Sequence, residues 1–338
     1  MTRGICLVFL AFALSACRAP ELKEVGRRVI RESDRSMNFC FANNFPDGTI
    51  YMWHSMGTHM KDERHVNIFS PDNGKTWQFE GPMGGMNAFL TKDGEKRRVS
   101  CWRTVETNEH DIIVETLGKD GKVRRDKSRI QLPREQEFRL HRNVVRLSDG
   151  RLLLTGYALS HKTRRCSAFA VDSADEGLHW RFLSDIPDVE KAQEGPNEGT
   201  VVQLASGDIL AFVRMGNAYG KKNSYVGLVR FRSRDGGRTW INEGEVAEYG
   251  VDPQAMLLSD GTLALLSGRP GVYLMLDPTG TGDHFVRHDV YKGMGSSYAS
   301  LMETSPGNLV LIYDESGFFK FAGDTPTNRI VQVNYVYR

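Results

Sequence analysis

The chain has little of what would tie it to nucleic acid, to a membrane span or to a disulfide framework. Its formal net charge is +2, from 44 Lys and Arg against 42 Asp and Glu in 338 residues. Both signs are spread along the chain, so no basic block points to nucleic acid and no acidic tail is present. The apolar run Ile5–Leu14 is ten residues, too short to cross a bilayer, and no other stretch reaches spanning length. Cysteine is scarce: beyond Cys6 and Cys17 only Cys40, Cys101 and Cys166 remain. These three allow at most one disulfide and show no metal-ligand spacing, and three buried free thiols are the expectation. The nine histidines are scattered. There is no G-x-G-x-x-G, P-loop, G-x-S-x-G elbow or H-E-x-x-H, so neither a cofactor nor a metal is expected.

The amino-terminal stretch reads as a targeting segment. Thr2-Arg3 supplies a short positive region, Ile5–Leu14 an apolar core, and Leu14-Ser15-Ala16-Cys17 the end. The last four residues resemble a bacterial lipobox, which implies lipidation at Cys17, export, and an anchor in the bacterial cell envelope at the periplasm or cell surface. Residues 1–17 are then the signal peptide, 18–21 a tether, and 22–338 a single domain.

What is plentiful is glycine, 34 residues, together with 11 Tyr and 17 Phe, which suits strands joined by tight turns. A turn of the form apolar–x–(Asp/Ser/Pro)–Gly ahead of an apolar strand recurs six times, ending at Gly48, Gly94, Gly150, Gly207, Gly261 and Gly307. Successive glycines lie 46 to 57 residues apart, which suits one four-stranded antiparallel blade per repeat. The expectation is an all-β, six-bladed propeller acting as a monomer, closed by a strand from Leu22–Arg31 or from Arg329–Tyr337.

A second motif follows three of these turns: Ser70-Pro-Asp72-Asn-Gly74-Lys-Thr76-Trp77, Ser173-Ala-Asp175-Glu-Gly177-Leu-His-Trp180 and Ser233-Arg-Asp235-Gly-Gly237-Arg-Thr239-Trp240. Worn copies stand at Gly118–Gly121 and Asp277–Phe285. A short Asp side chain and hydroxyls can bond the amides of a tight turn, with glycine in the left-handed position and Trp packed between blades. The pattern resembles the Asp-box of the sialidase superfamily. In that family the box staples the fold and carries no chemistry.

The same resemblance assigns roles in the later repeats. Asn197-Glu198-Gly-Thr-Val-Val-Gln-Leu-Ala-Ser-Gly-Asp-Ile-Leu-Ala-Phe-Val-Arg214 is similar to the sialidase stretch E-P-x-V-V-E-L-x-D-G-x-L-L-x-x-x-R, which implies Glu198 as activating base and Arg214 as a carboxylate-binding arginine. Ser267-Gly-Arg269 implies a second such arginine at Arg269. Ser296-Ser-Tyr298-Ala-Ser-Leu301 is similar to the family's Y-S-x-L, which implies Tyr298 as nucleophile. A neutral tyrosine avoids the repulsion that a carboxylate nucleophile would meet beside a substrate carboxylate. The first repeat departs from the family. Its R-I-P arginine falls near Asn38, which could donate a hydrogen bond but carries no charge, and Arg35 and Arg64 are alternative sources. The acid/base is expected at Asp62, with Glu63, His59 and His65 as alternatives. Arg139-Leu-His141-Arg142 enters an inner strand, and His141 and Arg142 are candidates for ligand contact. The implied function is hydrolysis of a terminal sialic acid or related acidic sugar. A sialidase-fold hydrolase or lyase for another glycan, and a non-catalytic sugar-binding propeller, stay open.

Overall fold

The structure is a computed structural model that describes residues 21–57, 62–101, 105–216, 227–317 and 328–338. Every regular element among them is a strand. The chain opens with β1 (Leu22–Ser33) and then lays down a three-stranded meander of β2 (Met37–Asn44), β3 (Ile50–Met56) and β4 (Arg64–Ser70). Seven strands follow in one sheet: β5 (Ala88–Leu90), β6 (Lys96–Ser100), β7 (Thr107–Leu117), β8 (Val123–Arg146), β9 (Leu152–Ser160), β10 (Arg165–Ser173) and β11 (Arg181–Ile186). The long β8 is shared: Val123–Gln136 pairs with β7, and Glu137–Arg146 pairs with β9. Two four-stranded meanders come next. One holds β12 (Pro196–Gln203), β13 (Ile209–Met215), β14 (Leu228–Ser233) and β15 (Ile241–Ala247). The other holds β16 (Gln254–Leu257), β17 (Leu263–Gly268), β18 (Val272–Asp277) and β19 (Val286–Tyr291). The last sheet joins β20 (Ser300–Ser305), β21 (Asn308–Glu315) and β22 (Asn328–Tyr337) to β1 at its outer edge. Both segments expected to compete for the closing strand therefore sit side by side in one sheet, paired from Leu22↔Tyr337 to Ser33↔Asn328.

The repeated turns explain the hairpins. In the first five, the glycine N–H donates to the carbonyl three residues back, at Phe45, Thr91, Leu147, Leu204 and Leu258. All six turn glycines have φ between +73° and +92°, where a Cβ is strained. The sixth turn differs, because Gly307 donates to the Glu303 carboxylate at 3.0 Å instead.

The three Ser–Asp–Gly turns share one bonding pattern. Asp235 accepts from the Thr239 N–H at 2.9 Å and the Thr239 hydroxyl at 2.6 Å, while Ser233 Oγ accepts from the Gly237 N–H at 2.8 Å. Asp72 with Thr76 and Ser70, and Asp175 with His179 and Ser173, repeat it. Burial alone would raise the Asp235 carboxyl, but the Thr239 and Ser233 bonds outweigh it and hold the group down at about 2. Two of the three tryptophans tie their turn to a neighbouring sheet: Trp77 donates to Gln332 at 2.9 Å and Trp240 to Ser184 at 3.0 Å.

Apolar side chains from facing sheets fill the gaps between them. Leu266 and Leu274 meet Leu301, Leu311 and Val333. Val201, Ile209 and Val213 meet Leu153 and Ala170. Met37, Ile50 and Met52 of the first meander meet Met302, Val310 and Ile330 of the last sheet. Burial of each such side chain contributes about 1.5–3 kcal/mol. Cys40, Cys101 and Cys166 are buried free thiols, as their number suggested.

Candidate active site

Glu198 sits in an irregular stretch of β12. The β12–β13 register runs Pro196↔Met215 and then Gly199↔Val213, so Asn197 and Glu198 share a bulge. A bulge re-aims side chains. Here it brings the Glu198 carboxylate to Arg214, whose Nη1 donates to Oε2 at 2.8 Å. The other oxygen, Oε1, accepts from the Tyr298 hydroxyl. Arg214 Nη1 also lies 3.5 Å from that hydroxyl, and the Asp252 N–H donates to Glu198 Oε2 at 2.9 Å. Glu198 and Arg214 are buried, whereas Tyr298 is half-buried and keeps part of its surface open.

Tyr298 stands two residues ahead of the start of β20. Its ring meets Phe39 edge-on, with centroids 4.7 Å apart, and Phe41 at 5.9 Å. The Arg269 guanidinium lies 5.5 Å from the ring centroid and donates from Nη2 to the Ser296 carbonyl at 2.8 Å. Phe39, Asp252, Arg269 and Ser297 all have φ between +46° and +66°, so four non-glycine residues in left-handed conformations converge on this one place. Such conformations cost roughly 1–3 kcal/mol each and concentrate at functional sites.

The electrostatics separate the two partners of the Tyr298–Glu198 bond. Burial raises the Tyr298 phenol well above its ordinary value and the Glu198 charge adds to this, against Arg214 and Arg269. Burial would also raise Glu198, but the Arg214 charge, then His141, then the Tyr298 and Arg214 hydrogen bonds bring it well below the usual carboxylate range. The resting state is a protonated phenol donating to an ionised carboxylate. Arg142, Arg214 and Arg269 stand among the acidic groups Glu198, Asp252 and Asp314: Arg214 bonds Glu198, Arg142 bonds Asp252, and Arg269 bonds the carbonyl of Ser296, whose N–H donates to Asp314 at 2.8 Å.

Other sequence candidates take different places. Arg142 is 1% exposed, and its guanidinium is spent on the Asp252 carboxylate, the Ala299 carbonyl at 2.6 Å and Ser300 Oγ at 2.7 Å. His141 is also buried, between Asp252 Oδ1 at 3.0 Å and the Gly199 carbonyl at 3.1 Å. These two residues therefore support the site from beneath and do not face a ligand. Asn38 is 0% exposed, and its Oδ1 accepts from Ser316 at 2.7 Å while its amide meets Ser36 at 3.1 Å. It lies under the surface, with its side chain turned to Ser36 and Ser316. Asp62 is on an exposed turn, paired with Arg35 at 3.2 Å and outside the buried network around Tyr298. Glu63 and Arg64 follow it on the same turn and at the start of β4. His65 stacks on Trp53 with centroids 4.4 Å apart. Cys17 and His59 lie outside the described residues.

Sequence reasoning missed Asp252. A signal was available in the repeat register: nine residues ahead of the six turn glycines stand Phe39, Gly85, His141, Glu198, Asp252 and Tyr298. Five of the six meet at this site.

No protein-family model matches the chain, and no curated protein sequence matches it. Solved structures do. A Dyadobacter fermentans protein of unknown function superposes with a TM-score of 0.73 at 18% identity, over 94% of this chain and 99% of that one. A Hadza microbial sialidase matches with a TM-score of 0.65 at 12% identity, over 88% of this chain and 65% of the sialidase. An α-L-arabinanase from Penicillium chrysogenum, solved with arabinobiose, matches with a TM-score of 0.61 at 15% identity, over 92% and 98% of the two chains. At these identities the likeness shows the fold, a sialidase-like β-propeller.

Proposed function

We propose that this chain is a six-bladed propeller exported on a Cys17 lipid anchor, and that it hydrolyses a glycoside of a terminal sialic acid or a related acidic sugar with retention. The blade count follows from treating the seven-stranded sheet as two blades that share β8, split where its pairing passes from β7 to β9. The Ser–Asp–Gly turns are then Asp-boxes at the outer edge.

The observation that carries the functional reading is the Tyr298 hydroxyl donating to the buried Glu198 carboxylate, with Arg214 on the other oxygen. A phenol held neutral can approach an anomeric carbon that bears a carboxylate neighbour. As the C–O bond to the sugar forms, the phenolic proton passes to Glu198, so no free phenolate is needed. Arg214 and Arg269 hold the substrate carboxylate. Asp62 protonates the leaving oxygen and then activates the water that releases the sugar.

Turnover of a fluorogenic α-sialoside, with Tyr298→Phe alongside, tests this. Activity that vanishes in the variant supports the reading. A folded wild-type protein that leaves the sialoside intact removes it. A hydrolase for a neutral glycan is then favoured by one observation, the buried and uncharged Asn38 where the first arginine of the clamp would stand.

A further inference from the structure

Beneath the Tyr298–Glu198 pair lies a buried set of polar side chains that the proposed chemistry leaves unused: Asp252, His141 and Arg142. Asp252 is 1% exposed and adopts φ +46°. Its three polar groups reach both members of the pair. The backbone N–H donates to the Glu198 carboxylate at 2.9 Å. One carboxylate oxygen meets His141 Nε2 at 3.0 Å, and the opposite edge of that ring bonds the carbonyl of Gly199, next to Glu198. The other oxygen holds Arg142, which bonds the Ala299 carbonyl, next to Tyr298, and the Ser300 hydroxyl.

A buried ion pair of this kind rarely adds net stability, because desolvation offsets the attraction, and its best-attested use is to fix one arrangement over others. The arrangement fixed here is the contact between two residues on different sheets, Glu198 on β12 and Tyr298 at β20. Asp252 itself precedes β16, and His141 and Arg142 belong to β8, so four sheets are tied at one point. His141, Glu198, Asp252 and Tyr298 also share the position nine residues ahead of their turn glycines, which explains why the inner ends of different repeats meet.

We infer that Asp252, with His141 and Arg142, is a positioning hub that sets the Glu198–Tyr298 hydrogen bond without touching the ligand. The inference rests on the reading that this pair carries the chemistry, and its test is separable from that reading. The whole protein is labelled with 13C at tyrosine Cζ, and the Tyr298 resonance is assigned by its loss in Tyr298→Phe. Glu198→Gln gives the position of that resonance when the charged bond is absent. His141→Gln keeps the Arg142–Asp252 pair intact and is the variant least prone to misfold. Asp252→Asn with Arg142→Gln removes both charges together, because Asp252→Asn alone would leave Arg142 buried and uncompensated.

In both variants the Tyr298 resonance at neutral pH should move toward the Glu198→Gln position, while the tyrosines remote from the site stay in place; Tyr157, whose ring lies 5.9 Å from that of His141, is left out of that control. In an active protein kcat should fall about 100-fold, the order that a misplacement of about 1 Å costs, with KM changed less than about threefold. Folded variants with an unmoved Tyr298 resonance would overturn the inference, and so would a rise in KM alone, which marks ligand contact. If the double variant does not fold, His141→Gln decides. If the wild type cleaves no sialoside, the resonance still decides the hub and the sialidase reading falls by itself.

Discussion

The two sides of the site are built on different principles. On the side of β8 and of β12 to β20, charge is concentrated and tied: Glu198, Arg214, Asp252 and Arg142 are buried and share short bonds, with Arg269 set over Tyr298. On the side of β2 and β3, the surface toward Tyr298 is aromatic, with Phe39, Phe41 and Trp53 in one cluster and neutral Asn38 beneath it. On the function proposed above, the first side would hold the anion and move the proton. The second side shapes and desolvates. On the function proposed above, the clamp on the sugar carboxylate would be two-armed, and Asp62 would act from an exposed turn.

The largest expected effect is on the charged side. Tyr298→Phe or Glu198→Gln should lower kcat on an α-sialoside by about 1000-fold or more, since nucleophile and base act as one unit. Tyr298→Phe should leave the melting temperature nearly unchanged. Arg214→Met should lower kcat/KM and also cost about 3–5 kcal/mol of stability, because Glu198 would be stranded. Arg269→Met should raise KM about tenfold or more at little cost in stability. Equal effects of the two arginine substitutions on unfolding would break this distinction.

On the aromatic side the order of effects reverses. Phe39→Ala should destabilise by about 3 kcal/mol through the cavity it leaves, and Phe39→Gly by less than the lost contacts suggest, because φ +63° is then relaxed. Inhibition by free sialic acid should shift less than about threefold in either variant, and a larger shift would place the first meander in the anion clamp. The pH profile sharpens the same comparison. Glu198 is held below, and Tyr298 above, their ordinary ranges. Stability from the lowered Glu198 is complete above its unfolded value of about 4.3 and is lost as pH falls through the folded value. Neither residue should set a limb of kcat/KM between about pH 5 and 9. The smallest effect belongs to the outer turns: Asp235→Ala should cost about 1–2 kcal/mol by denaturant unfolding and leave kcat untouched.

The repeated parts of the molecule were legible because each repeat solves the same local problem. A turn that needs a left-handed residue selects glycine six times over, and an Asp that satisfies a ring of amides selects Ser and Thr around it. Glu198, Arg214, Arg269 and Tyr298 were marked by stretches that resemble sialidase motifs, and the structure brings the four side chains together. Asn38 was a candidate because it falls at the family's first-arginine position, and His141 and Arg142 because they enter an inner strand; all three side chains are buried. The registers shift between Asn38 and Phe41 and between His141 and Val145, and these bulges turn the side chains inward. Asp252 was overlooked because its contacts run to residues 54 and 110 positions away, and its mark in the sequence is only its place nine residues ahead of Gly261. The closing sheet pairs β1 with β22 across nearly the whole chain, and both candidate segments had strand patterns, so sequence could not choose between them.

The central claim is that Tyr298 is the atom source of a covalent bond to an acidic sugar. Incubation with a fluorinated sialosyl fluoride, which forms the glycosyl-enzyme bond readily and hydrolyses slowly, followed by peptide mass spectrometry, tests it most directly. The account predicts one added sugar on the peptide that contains Tyr298, and none in Tyr298→Phe. An adduct on Glu198 or Asp62, or an unmodified protein that still cleaves sialosides, would contradict it.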